Sequence, residues 1–188
     1  MAQSQRNYSL DDYFDVENHS DIRFEYFAGQ IFAMAGGSYR HNRIGSNLLG
    51  GLVARLRGSF CSALGSDMRV STVSGLYTYP DGVVVCGQPE LSHHPFDRGE
   101  TLINPSVIIE VLSDSTRLYD LGEKFDHYRA IPSLRECIFV EQNLMSVERR
   151  WVESGEWRSE TLRGAAERLR FLAVPVEIPL SEIYDGVL

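Results

Sequence analysis

One glutamate lies inside an otherwise aliphatic run of the sequence. Glu110 is the fourth residue of the run 107–112, and the other five residues are valine, isoleucine or leucine. Such a run is typical of a central strand that is buried on both faces. An ionised carboxylate there costs several kcal/mol unless it is paired. A proton, an arginine such as Arg69 or a metal ion could compensate its charge, and Glu110 alone leaves these three possibilities open.

A second carboxylate also lies next to an apolar run. Asp81 follows Pro80 and directly precedes the run Gly82–Cys86, although aspartate beside proline is also common in plain turns. If the two strands are neighbours in one sheet, Asp81 and Glu110 can hold one divalent cation together. Mg²⁺ takes few protein carboxylates and keeps water and phosphate oxygens as its other ligands. The pair therefore predicts a binding site for Mg²⁺ or Mn²⁺.

Lys124 is the sole lysine of the chain, beside 17 arginines. It lies on the helix predicted after the Glu110 strand, from which it can reach back toward the end of that strand. An ammonium group is compact and can hold a water molecule or one phosphoryl oxygen. Equally, Lys124 can form a surface ion pair with Asp120, one helical turn earlier, which would stabilise the helix by only ~0.3–0.5 kcal/mol. The sequence leaves both roles open.

A basic segment surrounds His41. Residues 26–66 contain no aspartate or glutamate and include four arginines, among them Arg40 and Arg43. A locally basic surface attracts phosphate groups, although arginines are also common on the solvated side of any helix. We expect Arg40 and Arg43 to bind backbone phosphates, which sets position and not sequence. His41 opens a predicted helix, where it either caps the helix or acts as a phosphate contact or proton shuttle.

The elements that must position these residues follow from periodicity and turn signals. In chain order we predict a helix over 10–17 after Ser9, a hairpin over 22–35 with its turn at Ala28–Gly29, a helix after Ser38, strands at 61–64, 68–73 and 77–86, a strand at 107–112, a helix with Leu118, Leu121, Phe125 and Tyr128 on its buried face, strands at 137–140 and 145–151, and a final strand pair with a short helix. This order describes an α/β protein with a mixed central sheet flanked by helices. No linker or repeat divides the chain, so a single domain over residues 1–188 is predicted.

The composition excludes several classes of protein. The chain has 188 residues, of which 43% are hydrophobic and 23% are charged, as is ordinary for a globular domain. No apolar run approaches the ~18 residues of a membrane helix, and the N-terminus lacks the apolar core of a secretory signal. The net charge of −8 argues against a protein that coats DNA without sequence preference, but its excess acid lies mainly in residues 1–25 and 177–188.

Three cysteines, Cys61, Cys86 and Cys137, are widely spaced and odd in number. None of them forms a CxxC pair, and two of them lie in apolar, strand-like runs. This pattern predicts buried, reduced thiols. Together with the missing membrane and secretion signals, it predicts a cytoplasmic protein.

Several strings of the sequence are specific when they are taken together. They are Pro80–Asp81, Ser106–Ser113, Ser115–Thr116, Asp120–Tyr128, Phe24–Tyr26 with Gly29, Met34–Gly37, His41–Asn42 and Ile183–Tyr184. With these strings the chain resembles the Uma2 family of restriction-endonuclease-like proteins. The resemblance runs nearly end to end. It implies the fold of the PD-(D/E)XK nuclease superfamily, whose core is αβββαβ. It also implies metal-dependent hydrolysis of phosphodiester bonds in nucleic acid, with DNA as the expected substrate.

The resemblance also implies roles for individual residues. Asp81 would be the first metal ligand and Glu110 the second acid. The superfamily lysine two positions after Glu110 is absent, because Leu112 stands there. Lys124 matches the position to which this lysine has migrated in the Uma2 pattern. Glu25 matches a recurrent glutamate that can complete the acidic cluster, unless it merely pairs with the arginine two residues before it.

Two other functions are compatible with these residues. A catalytically inactive module that binds nucleic acid or regulates a partner fits the acidic net charge and Leu112. A metal-dependent hydrolase of a small phosphorylated substrate would use the same ligands. A homodimer is also compatible with the pattern, because cleavage of a duplex often uses two copies related by a twofold axis. Exposed strand edges late in the chain would form such a dimer.

Overall fold

The structure, a computed structural model, describes residues 7–188. Its helical segments are α1 (Leu10–Asn18), α2 (Tyr39–Leu56), α3 (Arg117–Tyr119), a π-helical turn (Asp120–Lys124), α4 (Phe125–Tyr128) and α5 (Leu180–Ile183). Its strands are β1 (Phe24–Phe27), β2 (Gln30–Ala33), β3 (Cys61–Gly65), β4 (Arg69–Ser71), β5 (Tyr77–Thr78), β6 (Gly82–Cys86), β7 (Thr101–Leu102), β8 (Val107–Leu112), β9 (Glu136–Glu141), β10 (Ser146–Glu153), β11 (Glu156–Arg163), β12 (Arg168–Arg170) and β13 (Glu177–Pro179). The expectation that the N-terminus lacks a secretory signal also concerns residues 1–6, which lie outside the described residues. Within the described range, no helix combines the length and apolar character needed to cross a membrane.

The central element of the fold is a six-stranded mixed sheet in the order β11-β10-β9-β8-β6-β3. Its neighbouring strands run antiparallel except β8 and β9, which are parallel. A parallel pair requires a crossover connection, and the helical segment 117–128 supplies it. With α2 in front of β3, the succession of the core elements is αβββαβ, so the predicted fold is confirmed.

Strand β8 is buried over its whole length and serves two separate cores. Its odd-numbered residues from 107 to 111 pack in one core with α2 and the C-terminal elements. Ile108 and Leu112 pack in the other core, together with residues of α4. Because side chains alternate between the two faces of a strand, Glu110 points to the same face as Ile108 and Leu112. The helical segment 117–128 covers that face.

A second sheet of five strands, β2-β1-β5-β4-β7, contains the predicted N-terminal hairpin. The hairpin turn is Ala28–Gly29, and both residues have positive φ, 48° and 79°, as a two-residue turn of type I′ requires. The prediction of one continuous strand over 77–86 is wrong, because β5 belongs to this sheet and β6 to the six-stranded sheet. Proline has no N–H for a strand ladder, and the chain crosses between the sheets at Pro80–Asp81.

The helix predicted through Leu118 is not regular. A π-helical turn at Asp120–Lys124 interrupts it, and Leu118 is 84% exposed, so its assignment to the buried face is wrong. A π turn closes its hydrogen bonds over one more residue than an α turn, which shifts the side chains around the helix axis. Asp120 and Lys124 are consequently buried together with Tyr128.

Cys61 and Cys86 form a disulfide, so the prediction of reduced thiols is wrong for these two residues. The antiparallel register of β3 and β6 places Cys61 directly opposite Cys86, with their Cα atoms 4.0 Å apart. The positions of the cysteines in the sequence do not predict this register. Cys137 is free and buried, as predicted. Because disulfides are rare in cytosolic proteins, the cysteines no longer support a cytoplasmic location.

Candidate active site

A cleft of about 640 Å³ contains five of the residues that the sequence predicts for a catalytic site. Both sheets contribute to its walls, together with the loop before α2 and the helical segment that follows β8. The five residues are Glu25, His41, Asp81, Glu110 and Lys124. They come from distant parts of the chain, and the tertiary fold brings them into one place.

Asp81 and Glu110 lie side by side where the two sheets meet. In the antiparallel pairing of β6 with β8, Gly82 is opposite Ile109, which brings the preceding Asp81 next to Glu110. Oδ2 of Asp81 accepts a hydrogen bond of 2.7 Å from Val111 N. The carboxylate of Asp81 is therefore tied to the strand that carries the second acid.

The carboxylate of Glu110 is buried and has a charged partner. Its Oε1 accepts a 2.5 Å hydrogen bond from the Tyr128 hydroxyl and lies 3.1 Å from Nζ of Lys124. Arg69, the arginine considered as a partner for it, instead pairs with Asp97 at 2.5 Å. Burial raises the pKa of Glu110 to about 8, and the charge of Lys124 opposes this shift. The group therefore depends on nearby positive charge to be ionised at neutral pH.

Lys124 is the centre of an ion cluster at the floor of the cleft. Its Nζ lies 3.0 Å from Glu25 Oε1, 3.1 Å from Glu110 Oε1 and 3.6 Å from Asp120 Oδ1. The pair with Asp120 therefore exists, and the ammonium also reaches back to the Glu110 strand. Burial alone would lower the pKa of Lys124, but the surrounding acids, Glu110 first, raise it well above its usual value. Lys124 is thus held as a cation.

Glu25 joins this cluster from the five-stranded sheet. Its Oε1 accepts a hydrogen bond from Thr78 Oγ1 and contacts Lys124, while its Oε2 accepts a 3.3 Å hydrogen bond from the Tyr119 hydroxyl. The arginine considered as its partner, Arg23, pairs elsewhere, with an aspartate at the edge of the cleft. Glu25 therefore belongs to the acidic cluster, where the family resemblance placed it.

Three side chains that hold the cluster together are not among the predicted site residues. Tyr128, Tyr119 and Thr78 donate their hydroxyl groups to Glu110 and Glu25. Tyr128 lies four residues after Lys124, and this spacing puts both on one helix face, so a signal for it exists in the sequence. Nothing comparable marks Thr78 or Tyr119, because their contacts depend on how the two sheets meet.

His41 holds the carboxylate of Asp81. Its Nε2 lies 3.2 Å from Asp81 Oδ2, and this hydrogen bond raises the pKa of the imidazole against the opposing effect of burial. The capping role considered for His41 is wrong, because Ser38 Oγ caps α2 by accepting a hydrogen bond from His41 N at 3.2 Å. A Cβ at Gly37 would lie 2.5 Å from His41 Nδ1, so a glycine is needed for the imidazole to pack here.

The two arginines predicted to bind phosphates lie outside the cleft lining. The guanidinium of Arg40 lies 3.5 Å from Asn143 Oδ1. The guanidinium of Arg43 donates hydrogen bonds to Asp185, at 3.4 Å to the carboxylate and at 3.2 Å to the main-chain carbonyl oxygen of that residue. Arg43 therefore connects α2 to the C-terminal segment in this structure. A contact of either arginine with nucleic acid stays a prediction.

The acids of the cleft have the chemistry to hold a hard divalent cation. Five carboxyl groups line it beside the cations Lys124 and Arg23 and one imidazole, so negative charge is in excess; the acids are Glu25, Asp67, Asp81, Glu110 and Asp120. Carboxylate oxygens suit Mg²⁺ and Mn²⁺, and Mg²⁺ usually keeps several waters. Among residues 7–188, no three His, Cys, Asp or Glu side chains are arranged to hold a metal ion by themselves. Asp81 and Glu110 would therefore bind an ion together with water or main-chain oxygen.

A protein-family model covers most of this chain. The family model Uma2, described as “Putative restriction endonuclease”, matches residues 10–181. The chain belongs to the Uma2 family. The uncharacterized protein slr1290 of Synechocystis sp. is 31% identical to this Uma2 chain over 183 residues, which are 95% of this chain and 92% of that protein. The uncharacterized protein sll1609 of the same organism is 32% identical over 163 residues, 85% of this chain and 90% of its own length.

A solved structure shares the fold of this Uma2 chain. It is a protein of Anabaena variabilis, described as “a putative nuclease belonging to DUF820”, and it superposes with a TM-score of 0.77. The two sequences are 15% identical, and the match covers 96% of this chain and 99% of that chain. At this identity the likeness establishes the common fold and nothing about individual site residues.

Proposed function

We propose that this Uma2 protein is a nuclease that hydrolyses phosphodiester bonds of nucleic acid with Mg²⁺ or Mn²⁺, and that DNA is its substrate. The supporting observation is the position of Asp81 beside Glu110 on adjacent strands, with Lys124 at 3.1 Å from Glu110 in the same cleft. A divalent ion held by the two acids would polarise the scissile phosphate and lower the pKa of a bound water. The description of the family is in line with this proposal.

Residues of the chain itself orient the two acids. Val111 N and His41 Nε2 both contact Oδ2 of Asp81, at 2.7 and 3.2 Å. Tyr128 and Lys124 both contact Oε1 of Glu110. These contacts use one oxygen of each carboxylate, so the second oxygen of each can face a ligand. Groups that are oriented before the reaction need not reorganise during it.

Two cationic groups can act on charge that develops on the phosphate. Lys124 is kept as an ammonium by the acids around it, and a buried charge acts more strongly than one in bulk water. The hydrogen bond with Asp81 raises the pKa of His41, which can hold a proton at Nε2. Arg40 and Arg43, outside the cleft, would bind phosphates farther along the strand.

A nicking assay with supercoiled plasmid tests the activity. We expect the wild-type protein to nick the plasmid in Mg²⁺ or Mn²⁺ and not in EDTA. Asp81→Asn keeps the shape of the side chain and removes its charge, and we expect a loss of about 100-fold or more, since removing even the groups that support a metal ligand costs 10–100-fold. Asp126→Asn is the matched control, because Asp126 is an exposed aspartate that pairs with Arg129.

Calorimetry with Mn²⁺ tests the metal site apart from activity. We expect wild type and Asp126→Asn to bind Mn²⁺ with the same affinity, and Asp81→Asn and Glu110→Gln to bind it much more weakly. Wild-type protein that binds no Mn²⁺, or Mn²⁺ binding that both site variants retain, would contradict the proposal. Cleavage of single-stranded RNA and of p-nitrophenyl phosphate esters is measured under the conditions of the nicking assay. Comparing these rates with the cleavage of DNA distinguishes DNA from the other two substrate classes.

Two observations favour a different function, a nucleic-acid-binding or regulatory module without turnover. Leu112 is buried at the position where the superfamily places its lysine, and Lys124 is already engaged by three carboxylates. This alternative predicts salt-dependent DNA binding that persists in Asp81→Asn, with no nicking by any variant.

A cytoplasmic location of the protein stays a prediction.

A further inference from the structure

Strand β11 forms one edge of the six-stranded sheet. It pairs with β10 over its full length, from Arg163 opposite Ser146 to Glu156 opposite Glu153, with no interruption of the register. No other strand in the described part of the chain pairs with its outer side, and six of its eight residues are exposed. It contains no proline, lysine or bulge, and its four charged residues, two glutamates and two arginines, can pair with opposite charges of another strand.

The register with β10 determines which backbone groups of β11 point outward. Gly164 N donates to Met145 O, and on the other side of β10 Val152 N donates to Arg135 O. In an antiparallel ladder, hydrogen-bonded and non-bonded pairs alternate. The even-numbered residues of β11 therefore bond to β10. Residues 157, 159, 161 and 163 present their N–H and C=O groups to the free edge.

An axis near the middle of β11 pairs most of the strand with its copy, and among such registers the charged side chains favour one. A twofold axis perpendicular to the sheet keeps each face on its own side, so residues of the same parity lie opposite each other. If the axis passes at Ser159, Trp157 faces Thr161 of the partner subunit through outward hydrogen bonds. The close, non-bonded pairs are then Arg158 with Glu160 of the partner subunit, twice by symmetry. Opposite charges in such pairs stabilise a sheet.

The neighbouring registers are disfavoured by charge. Moving the axis by one residue places either Arg158 opposite its own copy or Glu160 opposite its own copy. Like charges directly opposite in non-bonded pairs, with Cα atoms about 4.5 Å apart, destabilise a sheet. Within one chain Arg158 is half exposed and contacts Glu156, also exposed, at 2.9 Å. An exposed pair of this kind contributes little, so Arg158 can exchange it for a partner across the axis.

We infer that β11 pairs antiparallel with β11 of a second copy of this chain, about a twofold axis at Ser159. The two six-stranded sheets then form one continuous sheet, and the interface uses the same surface on both subunits. The inference rests on strand geometry and charge, and it is independent of the nuclease proposal.

The mass of the protein in solution tests the dimer. We expect light scattering after gel filtration to give twice the 21.2 kDa of one chain. Ser159→Pro removes an outward N–H and no bond to β10, and Arg158→Glu places two glutamates opposite each other; both should give monomers. Arg129→Glu makes the same charge change on the exposed surface of another element and should stay dimeric. A monomeric wild type, or a dimer that survives both substitutions, would overturn the inference.

Cross-linking tests the register itself. In the inferred pairing, Ser159 and its symmetry copy are a hydrogen-bonded pair with Cα atoms about 5.5 Å apart, a separation that a disulfide bridges. Two copies of residue 161 would be about 14 Å apart along the strands. Under mild oxidation Ser159→Cys should therefore form a covalent dimer, and Thr161→Cys should not. The remaining cysteines do not interfere, since Cys61 and Cys86 are bonded and Cys137 is buried. Cross-linking of Thr161→Cys and not of Ser159→Cys would refute the register.

Discussion

Lys124 forms ion pairs with the buried carboxylates of Glu25, Glu110 and Asp120, which would repel one another without it. Lys124→Met keeps most of the side-chain volume and removes the charge, so the acids lose their common partner. We expect the free energy of unfolding to fall by about 3–5 kcal/mol, as is usual when one partner of a buried ion pair is removed. Urea denaturation at neutral pH measures this loss.

Arg129→Met is the matched control for that measurement. Arg129 is half exposed and pairs with Asp126, which is also exposed, so loss of its charge should change the free energy of unfolding by no more than about 0.5 kcal/mol. If Lys124→Met and Arg129→Met were equally stable, the ion cluster would not stabilise the fold.

Glu136 is a fully buried acid that lies outside the cleft lining. Its Oε2 accepts hydrogen bonds from Leu172 N and Ala173 N at 2.9 and 3.1 Å, while its Oε1 has no hydrogen-bond partner among the described residues. Burial raises the pKa of Glu136 from 4.5 to about 7. The folded protein therefore keeps a proton on Glu136 at pH values where the unfolded chain has released it.

This difference makes stability depend on pH. Between pH 4.5 and about pH 7 the folded state binds more protons than the unfolded state, so the free energy of unfolding decreases as the pH rises. The decrease from Glu136 is complete above its folded pKa and amounts to about 3 kcal/mol at most. Glu136→Gln cannot ionise, and we expect it to lose this part of the pH dependence. Urea denaturation at about pH 5 and about pH 8 compares the two proteins, and an equal decrease in both would contradict the assignment.

At the scale of elements, the Cys61–Cys86 disulfide joins edge strand β3 to β6. The two cysteines are 25 residues apart in sequence, and closing a loop of this length stabilises a fold by roughly 3 kcal/mol. We expect a reductant to lower the melting temperature of the wild type and to leave that of Cys86→Ser unchanged. Differential scanning calorimetry with and without the reductant gives this comparison. If both proteins responded alike, the effect would not come from this bond.

Elements whose signals are local could be predicted from the sequence. The cap of α1 at Ser9, with the reciprocal bond to Asp12, and the cap of α2 at Ser38 depend only on neighbouring residues. The same is true of the hairpin turn at Ala28–Gly29. The π-helical turn at Asp120–Lys124 could not be predicted in this way. Its apolar spacing suits a regular helix, and the turn forms where Asp120 and Lys124 become buried against the Glu110 strand.

At the scale of the whole molecule, the chain carries a net charge of −8 and its cleft has an excess of acids. A polyanion entering such a cleft is repelled unless a cation neutralises part of the charge. We expect DNA affinity to be at least about 10-fold higher with Ca²⁺ than with EDTA, since divalent cations compensate the cleft acids. Fluorescence anisotropy at constant ionic strength measures this, because salt alone also changes DNA binding.

The variant Asp81→Asn carries the control for this experiment. With one ligand charge removed, it should bind DNA with nearly the same affinity in Ca²⁺ and in EDTA. An affinity of the wild-type protein that is the same in Ca²⁺ and EDTA would show that the cleft acids do not govern access of nucleic acid.

The sequence by itself determined that Glu110 lies on a buried strand and that Asp81 directly precedes an apolar run, because these features follow from the local hydrophobic pattern. The order αβββαβ of the core was implied by the family resemblance. Only the tertiary structure decided which side chains form ion pairs and which cysteines form a disulfide. It brought Glu25 into contact with Lys124, paired Arg69 with Asp97, and joined Cys61 to Cys86. The physical reason is that the spacing of apolar residues along the chain indicates which residues are buried. Ion pairs and disulfides depend instead on strand register and on how the two sheets meet.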